Sequence, residues 1–234
     1  MQPPEDITAR RLNARFGAAP AEAALAVALD RYEGRIALVS SFGAEAAVLL
    51  HMLSRIDPSV PVLLLDTRLL FPETLAYQQE LSAHLGLRQV RRITPDERAD
   101  PDRSLHRRDS TACCALRKVA PLQAALKGFD AVITGRKRFQ TGQRAAMARF
   151  EHDGMRLKIN PLADWTAQQI AAYFETYALP RHPLVAQGFP LIGCAPCTSR
   201  VADGEESRAG RWRGEARQEC GIHFGPDGKV ERAG

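Results

Sequence analysis

Apolar runs alternate with segments of helical periodicity along most of this chain. Three apolar runs and one more polar run are typical of strands, and they lie at 35–40, 60–67, 131–134 and 87–93. Helical spacing of apolar residues predicts helices at 21–32, 44–55, 72–85 and 112–127, the last interrupted at Pro121. Strands that alternate with helices indicate a mostly parallel sheet covered on both faces. The sequence therefore predicts an α/β fold, a three-layer sandwich.

The ends of the chain lack this alternation. Residues 1–19 predict a mobile or loosely helical leader, and residues 198–234 are polar with few groups to bury. Between them, 94–110 predicts a mobile loop, 155–160 one more short strand, and 165–178 a helix. We therefore expect a leader at 1–19, an α/β domain at 20–197 and a flexible C-terminal segment at 198–234.

Composition indicates a protein of the cytoplasm. Of 234 residues, 45% are hydrophobic and 25% charged, which is ordinary for a globular domain. The sequence has no apolar run of the ~20 residues that a membrane helix needs, and its N-terminus lacks the apolar core of a secretory signal. Stable disulfides are not expected in a reducing compartment, so the five cysteines indicate metal or redox chemistry.

The net charge of +5 favours anionic partners. Most of the clustered arginines fit a solvated surface, but aromatic residues make up only 6% and offer no stacking platform for single-stranded nucleic acid. A small phosphorylated substrate is therefore expected as the partner, and neither nucleic acid nor membrane.

Three polar segments follow predicted strands. They are Ser40–Glu45, Asp66–Thr67 and 135–144. In parallel sheets ligands bind at the carboxyl ends of the strands, and a strand-to-helix turn such as Ser40–Glu45 suits a phosphate. The turn lacks the Walker A pattern, and a plain connection without a ligand is the alternative.

Four cysteines form two pairs, Cys113-Cys114 and Cys194-x-x-Cys197. Four thiolates can hold a tetrahedral zinc ion or an iron–sulfur cluster. Adjacent cysteines on a helix project about 100° apart, which suits the separate irons of a four-iron cluster better than one zinc ion. Buried cysteines without a metal are the simpler alternative. Lys118 lies one turn after Cys114 and either places a positive charge beside the cluster or is a solvated surface residue.

Cys220 is left over, in the segment Glu219-Cys220-Gly221-Ile222-His223. With His223 nearby and arginines upstream, this thiol could act as a nucleophile. A surface cysteine without a function is the alternative.

Together, Ser-Ser-Phe-Gly-x-Glu at 40–45, Leu65-Asp66-Thr67, the two cysteine pairs and the Glu-Cys-Gly-Ile-His segment resemble a known family. The resemblance is to assimilatory adenylyl-sulfate (APS) reductases of the phosphoadenylyl-sulfate (PAPS) reductase family, and it covers about residues 36–223. It implies an adenine nucleotide alpha-hydrolase-like fold. It also implies a [4Fe–4S] cluster held by Cys113, Cys114, Cys194 and Cys197, since members with both pairs reduce APS and cluster-free relatives reduce PAPS.

The resemblance also implies a mechanism for cysteine biosynthesis. Cys220, carried by the C-terminal segment with His223 close by, would attack the sulfate sulfur to give S-sulfocysteine and AMP. Thioredoxin, or a glutaredoxin-like reductant, would then release sulfite. The implied substrate contacts are Ser40, Ser41, Phe42, Gly43, Glu45, Asp66, Thr67, Lys118, Arg138, Arg144, Lys158, Arg208 and Arg211. Two positions depart from the family pattern, with Arg68 in place of glycine and Phe139 in place of aspartate.

Other functions fit parts of the pattern. A PAPS reductase would share the fold. An iron–sulfur tRNA thiolation enzyme would need a loop of the type S-G-G-x-D-S, whereas this loop has one glycine and Glu45 in place of aspartate. A zinc-stabilised binding module without catalysis would use only the four paired cysteines. The sequence leaves a homo-oligomer open.

Overall fold

Six strands form one sheet in residues 4–214, the part of the chain that the computed structural model describes. The strands are β1 (Ile36–Ser40), β2 (Val62–Leu65), β3 (Val90–Ile93), β4 (Ala131–Thr134), β5 (Phe150–His152) and β6 (Leu157–Ile159). The helices are α1 (Pro4–Phe16), α2 (Ala21–Arg31), α3 (Ala46–Ile56), α4 (Pro72–His84), α5 (Leu105–Arg108), α6 (Ser110–Cys114), α7 (Ala120–Ala125) and α8 (Ala167–Thr176). Short 3₁₀ turns lie at Glu97–Ala99, Arg138–Gln140, Gly142–Arg144, Val185–Gln187 and Ala195–Cys197.

The strand order is β3-β2-β1-β4-β6-β5, and only β5 runs antiparallel to its neighbour within this sheet. Leu38 of β1 pairs with Val62 of β2, and Ile36 pairs with Ala131 of β4 on the other side. The chain therefore leaves β1 in one direction for β2 and returns to its other side for β4. This reversal opens a crevice at the carboxyl ends of β1 and β4, where open α/β sheets bind ligands.

Alternate residues of the central strands enter two separate cores. On one face, Leu38, Leu64 and Ile133 pack with residues of α1 to α4 and α8. On the other face, Ala37 and Val132 pack with α7. The prediction of a three-layer α/β sandwich with a mostly parallel sheet is confirmed. Within the described residues, no helix is both long and apolar enough to cross a bilayer.

The N-terminal residues differ from the expected loose leader. They contain the 13-residue helix α1, whose Ala9 and Leu12 are buried. Asn13 donates its amide hydrogen to the Phe150 carbonyl (2.6 Å) and accepts the Phe150 N–H (3.1 Å). The helix therefore packs on the edge strand β5, which the sequence did not predict as a strand. The short strand predicted at 155–160 is β6.

The cysteine-bearing helix continues through Pro121 instead of stopping there. A π-helical turn, Ala115–Val119, joins α6 to α7. Proline has no N–H, and its ring crowds the carbonyl four residues earlier; a wider turn just before it accommodates both effects. Arg117, Lys118 and Val119 are all buried as a result.

Residues 198–214 turn back on the loop that carries Cys194 and Cys197. Ser199 donates its N–H to the Gly210 carbonyl at 2.8 Å, and Trp212 donates its N–H to the Cys197 carbonyl at 3.2 Å. The Trp212 side chain is buried. The predicted boundary at residue 197 therefore falls inside a packed unit, and the flexible segment stays a prediction for residues beyond 214.

His182 joins α4 to the segment that leads to the cysteine loop. The side chain is 1% exposed. Leu184 donates its N–H to Nδ1 at 3.2 Å, so Nε2 carries the proton and donates to the Thr74 hydroxyl at 3.0 Å. Burial lowers the pKa of His182 to about 4, against a weaker opposing effect of Glu73. The neutral imidazole is therefore the form that fits this position.

We expect the stability of the protein to fall between pH 6.5 and pH 4 because of His182. In this interval the unfolded chain binds a proton that the folded chain does not, so the free energy of unfolding drops as the pH falls. The loss amounts to about 2–3 kcal/mol. Urea unfolding across this pH range should show a shallower pH dependence for His182→Gln than for His84→Gln, an exposed control. Parallel curves for the two variants would contradict the assignment.

Candidate functional site

Two adjacent cavities lie near the crevice between β1 and β4 and share part of their lining, and we call the two together the central cleft. The β4 lobe encloses about 250 Å³, and the cysteine lobe encloses about 220 Å³. Residues that line both lobes are Val39, Ser40, Ser41, Gln140, Arg144, Leu191 and Ile192. A ligand in the central cleft can therefore contact both lobes at once.

The loop Ser40–Glu45 forms the wall between β1 and α3. Phe42 is fully buried with a φ of 48°, a backbone conformation that bulky side chains rarely adopt. Its N–H donates to the Ser40 hydroxyl at 3.1 Å. A Cβ on Gly43 would lie 3.2 Å from the Ile192 carbonyl oxygen, so this position favours glycine. The buried phenyl ring and the tight turn fix the backbone beside the N-terminus of α3, where anions are stabilised.

Lys137 and Glu45 pair across the β4 lobe. The Lys137 ammonium donates to the Glu45 carboxylate at 2.8 Å and to the Gly135 carbonyl at 3.1 Å. Gln140 donates to the same carboxylate at 3.3 Å. Burial lowers the pKa of Lys137, while the Glu45 charge opposes that shift. The contacts join the turn after β4 to the start of α3.

A second ion pair lines the same lobe, where Lys158 of β6 lies 3.5 Å from Asp153. Both side chains are buried. Burial lowers the pKa of Lys158, and the Asp153 charge opposes the shift. The β4 lobe thus combines two buried lysines with the apolar side chains of Leu122 in α7 and Leu126 just after it.

Two segments bring four cysteines close to one another beside the cysteine lobe, which Cys194 lines. Cys113 and Cys114 end α6, and both are buried. The loop with Cys194 and Cys197 docks on the chain after β2, where Ala195 donates its N–H to the Leu69 carbonyl at 2.7 Å. The Thr67 hydroxyl lies 3.1 Å from the Cys194 sulfur.

The four thiols influence each other electrostatically. Burial and, to a smaller extent, the neighbouring thiols of Cys114, Cys194 and Cys197 raise the pKa of Cys113 to about 11. Burial also raises the pKa of Cys197, with contributions from Cys194 and Cys114. Thiolates in this setting need compensating positive charge, which a bound metal centre supplies. Within residues 4–214, no three His, Cys, Asp or Glu side chains are grouped closely enough to hold one metal ion.

Basic side chains surround the same lobe. Lys118, Arg208 and Arg211 line it. The charges of Lys118 and Arg211 partly oppose the rise in the pKa of Cys197 that burial causes. The Arg211 guanidinium donates to the Cys197 carbonyl at 2.9 Å and to the Thr198 hydroxyl. It lies against Gly193, where a Cβ would overlap it at 2.3 Å. Gly193 therefore allows Arg211 to lie over the cysteine loop.

A buried ion pair connects the segments that border the cysteine lobe. Arg117 and Asp100 are each 1% exposed and 2.6 Å apart. Arg117 also donates to the Thr67 carbonyl at 3.0 Å, and Asp100 accepts the Ser104 N–H at 3.1 Å. The loop that we expected to be mobile is thus tied to the cysteine helix and to the residue that contacts Cys194.

The structure brings ten of the predicted substrate contacts to the lining of the central cleft. They are Ser40, Ser41, Gly43, Glu45, Thr67, Lys118, Arg144, Lys158, Arg208 and Arg211. Cys220 and His223 lie outside the described residues.

Three other predicted contacts do not line the cleft. The Phe42 ring is buried in the core. Asp66 is buried and accepts the Arg92 guanidinium at 3.0 Å. Arg138 donates to Asp164 and to the Met147 carbonyl. Each of them contacts protein groups instead.

Several lining residues were missed by the sequence argument. Lys137 and Arg136 belong to the basic run before Arg138, so the run was a usable signal. Gln140 lies within the segment 135–144, which the sequence argument named only as a whole. Asp153 and Trp212 carried no signal, because their place in the lining depends on packing between distant segments. The structure also shows where the two residues that depart from the family pattern, Arg68 and Phe139, lie. Arg68 has a φ of 60° and lies 3.6 Å from Asp66, and Phe139 is half exposed and outside the lining.

Comparison with known proteins agrees with this geometry. The model of the phosphoadenosine phosphosulfate reductase domain matches residues 35–200, which include the β-strands and both cysteine pairs. This chain belongs to the phosphoadenosine phosphosulfate reductase family. The family resemblance predicted from the motifs is therefore confirmed.

Relatives in the family carry two kinds of name. The chain is 48% identical to an adenosine 5'-phosphosulfate reductase of Chelativorans sp. (strain BNC1), over 94% of this chain and 92% of that protein. It is 41% identical to a phosphoadenosine 5'-phosphosulfate reductase of Gloeobacter violaceus, over 86% of this chain and 88% of the relative. Overall identity to these two proteins does not choose between the names.

Solved structures support the fold of the family. The phosphoadenylyl-sulfate reductase of Candida auris, solved as a phosphate complex, superposes with a TM-score of 0.71 at 26% identity, covering 82% of this chain and 96% of that chain. A Candida glabrata FMN adenylyltransferase superposes with a TM-score of 0.59 at 14% identity, covering 88% and 73% of the two chains. The second likeness concerns the fold alone.

Proposed function

We propose that this protein reduces adenosine 5'-phosphosulfate to sulfite and AMP, with thioredoxin or a glutaredoxin-like protein as the reductant. The observation that carries the proposal is that the two lobes of the central cleft are adjacent and share seven lining residues. Its Ser40–Glu45 wall suits a phosphate, and its far end is lined by Cys194, Lys118, Arg208 and Arg211. A nucleotide linked to a sulfate is the kind of substrate that would place one anion in each part.

The proposed reaction has two steps. The thiolate of Cys220 attacks the substrate sulfur, an S–S bond forms, the bond from sulfur to the bridging phosphate oxygen breaks, and AMP leaves. A reductant thiolate then attacks the Cys220 sulfur and sulfite leaves with the electron pair of the broken S–S bond. A second thiol of the reductant closes its disulfide and frees Cys220. The reductant dithiol thus supplies the two electrons that reduce the sulfate sulfur.

The described residues would stabilise charge during the first step. Arg144, which lines both lobes, and Lys118 would face the negative oxygens of the phosphosulfate. Positive groups already in place at the departing phosphate favour the leaving group without a cost of reorganisation. The buried Lys137 and Lys158 would add positive charge in the β4 lobe.

The four paired cysteines supply a donor set that would suit a [4Fe–4S] cluster. Cys113, Cys114, Cys194 and Cys197 are electrostatic neighbours from two chain segments, and adjacent thiolates on one helix suit a centre with several irons. When bound, the cluster would supply compensating charge and would join α6 to the loop of Cys194. The proposed reaction needs only the Cys220 thiol and the external reductant.

The preference between the two sulfonucleotides is the direct test of the proposal. Because the chain has both cysteine pairs, we expect faster turnover with adenosine 5'-phosphosulfate than with its 3'-phosphorylated form. Sulfite release with reduced thioredoxin should be measured for both substrates over a range of concentrations. A strong preference for the 3'-phosphorylated substrate would contradict the substrate assignment, and the absence of sulfite with either would contradict the proposed function.

A further inference from the structure

Arg138 and Asp164 form a contact at the outer end of the turn that follows β4. Asp164 accepts the Arg138 guanidinium with one carboxylate oxygen. Its other oxygen accepts the Arg149 guanidinium at 3.0 Å. Arg138 also donates its backbone N–H to the Ala163 carbonyl (2.9 Å) and its Nε to the Met147 carbonyl (2.7 Å). The contacts of Arg138 are therefore made to the protein, away from the central cleft.

The turn held in this way carries two cleft residues on its other side. Gln140 accepts the Lys137 backbone N–H at 3.2 Å and the Arg144 guanidinium. Both Lys137 and Gln140 donate to Glu45 at the start of α3. A shift of the turn at Arg138 would move the partners of Glu45 and the side chain of Arg144 together.

Arg149 ties the same carboxylate to the N-terminal helix. It is buried, and its guanidinium donates to the Phe16 carbonyl at 3.4 Å and to the Ala19 carbonyl, just after α1. Burial lowers the pKa of Arg149, and the Arg138 charge lowers it further. Asp164 therefore separates two guanidinium groups that would otherwise repel each other.

We propose that Asp164 is a positioning residue for substrate binding, and that Arg138 acts through it instead of contacting substrate. The Arg138 contact fixes the turn that places Lys137, Gln140 and Arg144 in the cleft. The Arg149 contact independently holds α1 on the sheet. This inference rests on the proposed function, because its readout is the KM for adenosine 5'-phosphosulfate.

A double-mutant cycle on Asp164 and Arg138 tests the proposal. We expect Asp164→Asn and Arg138→Met each to raise KM about tenfold, with kcat changed less than about twofold, because a misplaced binding group costs affinity. The KM of the double variant should match that of each single variant, since all three lose the same Arg138–Asp164 contact. Asp164→Glu should recover part of the affinity. Effects that multiply in the double variant, or an unchanged KM in Asp164→Asn, would overturn the proposal.

Two controls separate positioning from stability. Arg149→Met removes the contacts of Arg149 to Asp164 and to the chain at the end of α1, but it leaves the Arg138–Asp164 contact in place. It should therefore lower the thermal midpoint while KM stays at the wild-type value. Asp130→Asn breaks an exposed pair with Arg35 and should change neither quantity. A raised KM in Arg149→Met would show that loss of stability alone explains Asp164→Asn, and would overturn the proposal. If the wild-type protein forms no sulfite, the proposed function fails. If the wild-type protein turns over normally and the variants give one of the contradicting results, only the role of Asp164 is refuted.

Discussion

Replacing Cys220 by serine is expected to abolish sulfite formation. A serine hydroxyl is a far weaker nucleophile than a thiolate at neutral pH, so the first step of the proposed reaction should slow by about 10³-fold or more. Cys220 is not one of the four paired cysteines, so iron and acid-labile sulfide content and visible absorbance should match the wild-type protein. Sulfite release with reduced thioredoxin measures the first effect, and metal and sulfide analysis measures the second.

A covalent assay sharpens this test. Wild-type protein mixed with adenosine 5'-phosphosulfate, without a reductant, should gain one sulfo group on the peptide that contains Cys220. Cys220→Ser should gain none, while Gln218→Asn, a substitution two residues away, should behave as wild type. Turnover retained by Cys220→Ser would rule out the nucleophilic role. A colourless wild-type protein with zinc and without sulfide would contradict the proposed cluster while leaving the Cys220 test intact.

Replacing Arg117 by methionine is expected to lower the free energy of unfolding by about 3–5 kcal/mol. The substitution leaves the carboxylate of Asp100, which is 1% exposed, buried without its cation, and such a charge is strongly destabilising. It also removes a donor from the Thr67 carbonyl. Because Thr67 contacts Cys194, the iron content of the purified variant should fall as well. Urea unfolding under anaerobic conditions and iron analysis measure the two effects.

The chain offers a matched control for this substitution. Arg98 pairs with Asp96 at 2.7 Å, but the two side chains are 91% and 53% exposed. Arg98→Met should therefore leave the free energy of unfolding close to the wild-type value. Replacing both partners, Arg117→Met with Asp100→Leu, should recover part of the loss because no unpaired charge stays buried. A loss for Arg117→Met no larger than that for Arg98→Met would contradict the structural role of the pair.

The sequence predicted the central strands because they are buried on both faces. β1, β2 and β4 are short apolar runs between helices, and this pattern fits few conformations other than a buried strand. β5 was missed because it is three residues long and mixes one buried side chain with two partly exposed ones. Its strand conformation depends on pairing with β6 and on cover from α1, neither of which is a local signal.

The same distinction applies to the central cleft. Ser40–Glu45 and the cysteine pairs could be found because their chemistry is concentrated in short motifs. Asp100 could not, because it lies in a charged segment without periodicity and its buried partner, Arg117, is 17 residues away. The assignment of Arg138 as a substrate contact was what the family resemblance implied. The structure places its guanidinium on Asp164, which sequence spacing does not reveal.

The π-helical turn Ala115–Val119 lets this part of the gene change length by one residue. A π turn adds one residue to a helix without breaking it, so a single deletion within it would restore an ordinary α-helical path. Because the turn absorbs the extra residue, Cys113 and Cys114 would keep their orientation relative to Leu122, which is anchored in the core beneath α7. A single deletion in an ordinary α-helix would instead rotate both thiols by about 100° relative to Leu122. Homologues that keep both cysteine pairs should therefore tolerate the loss of one residue between the first pair and the residue that packs as Leu122 does, provided that the π turn is lost with it.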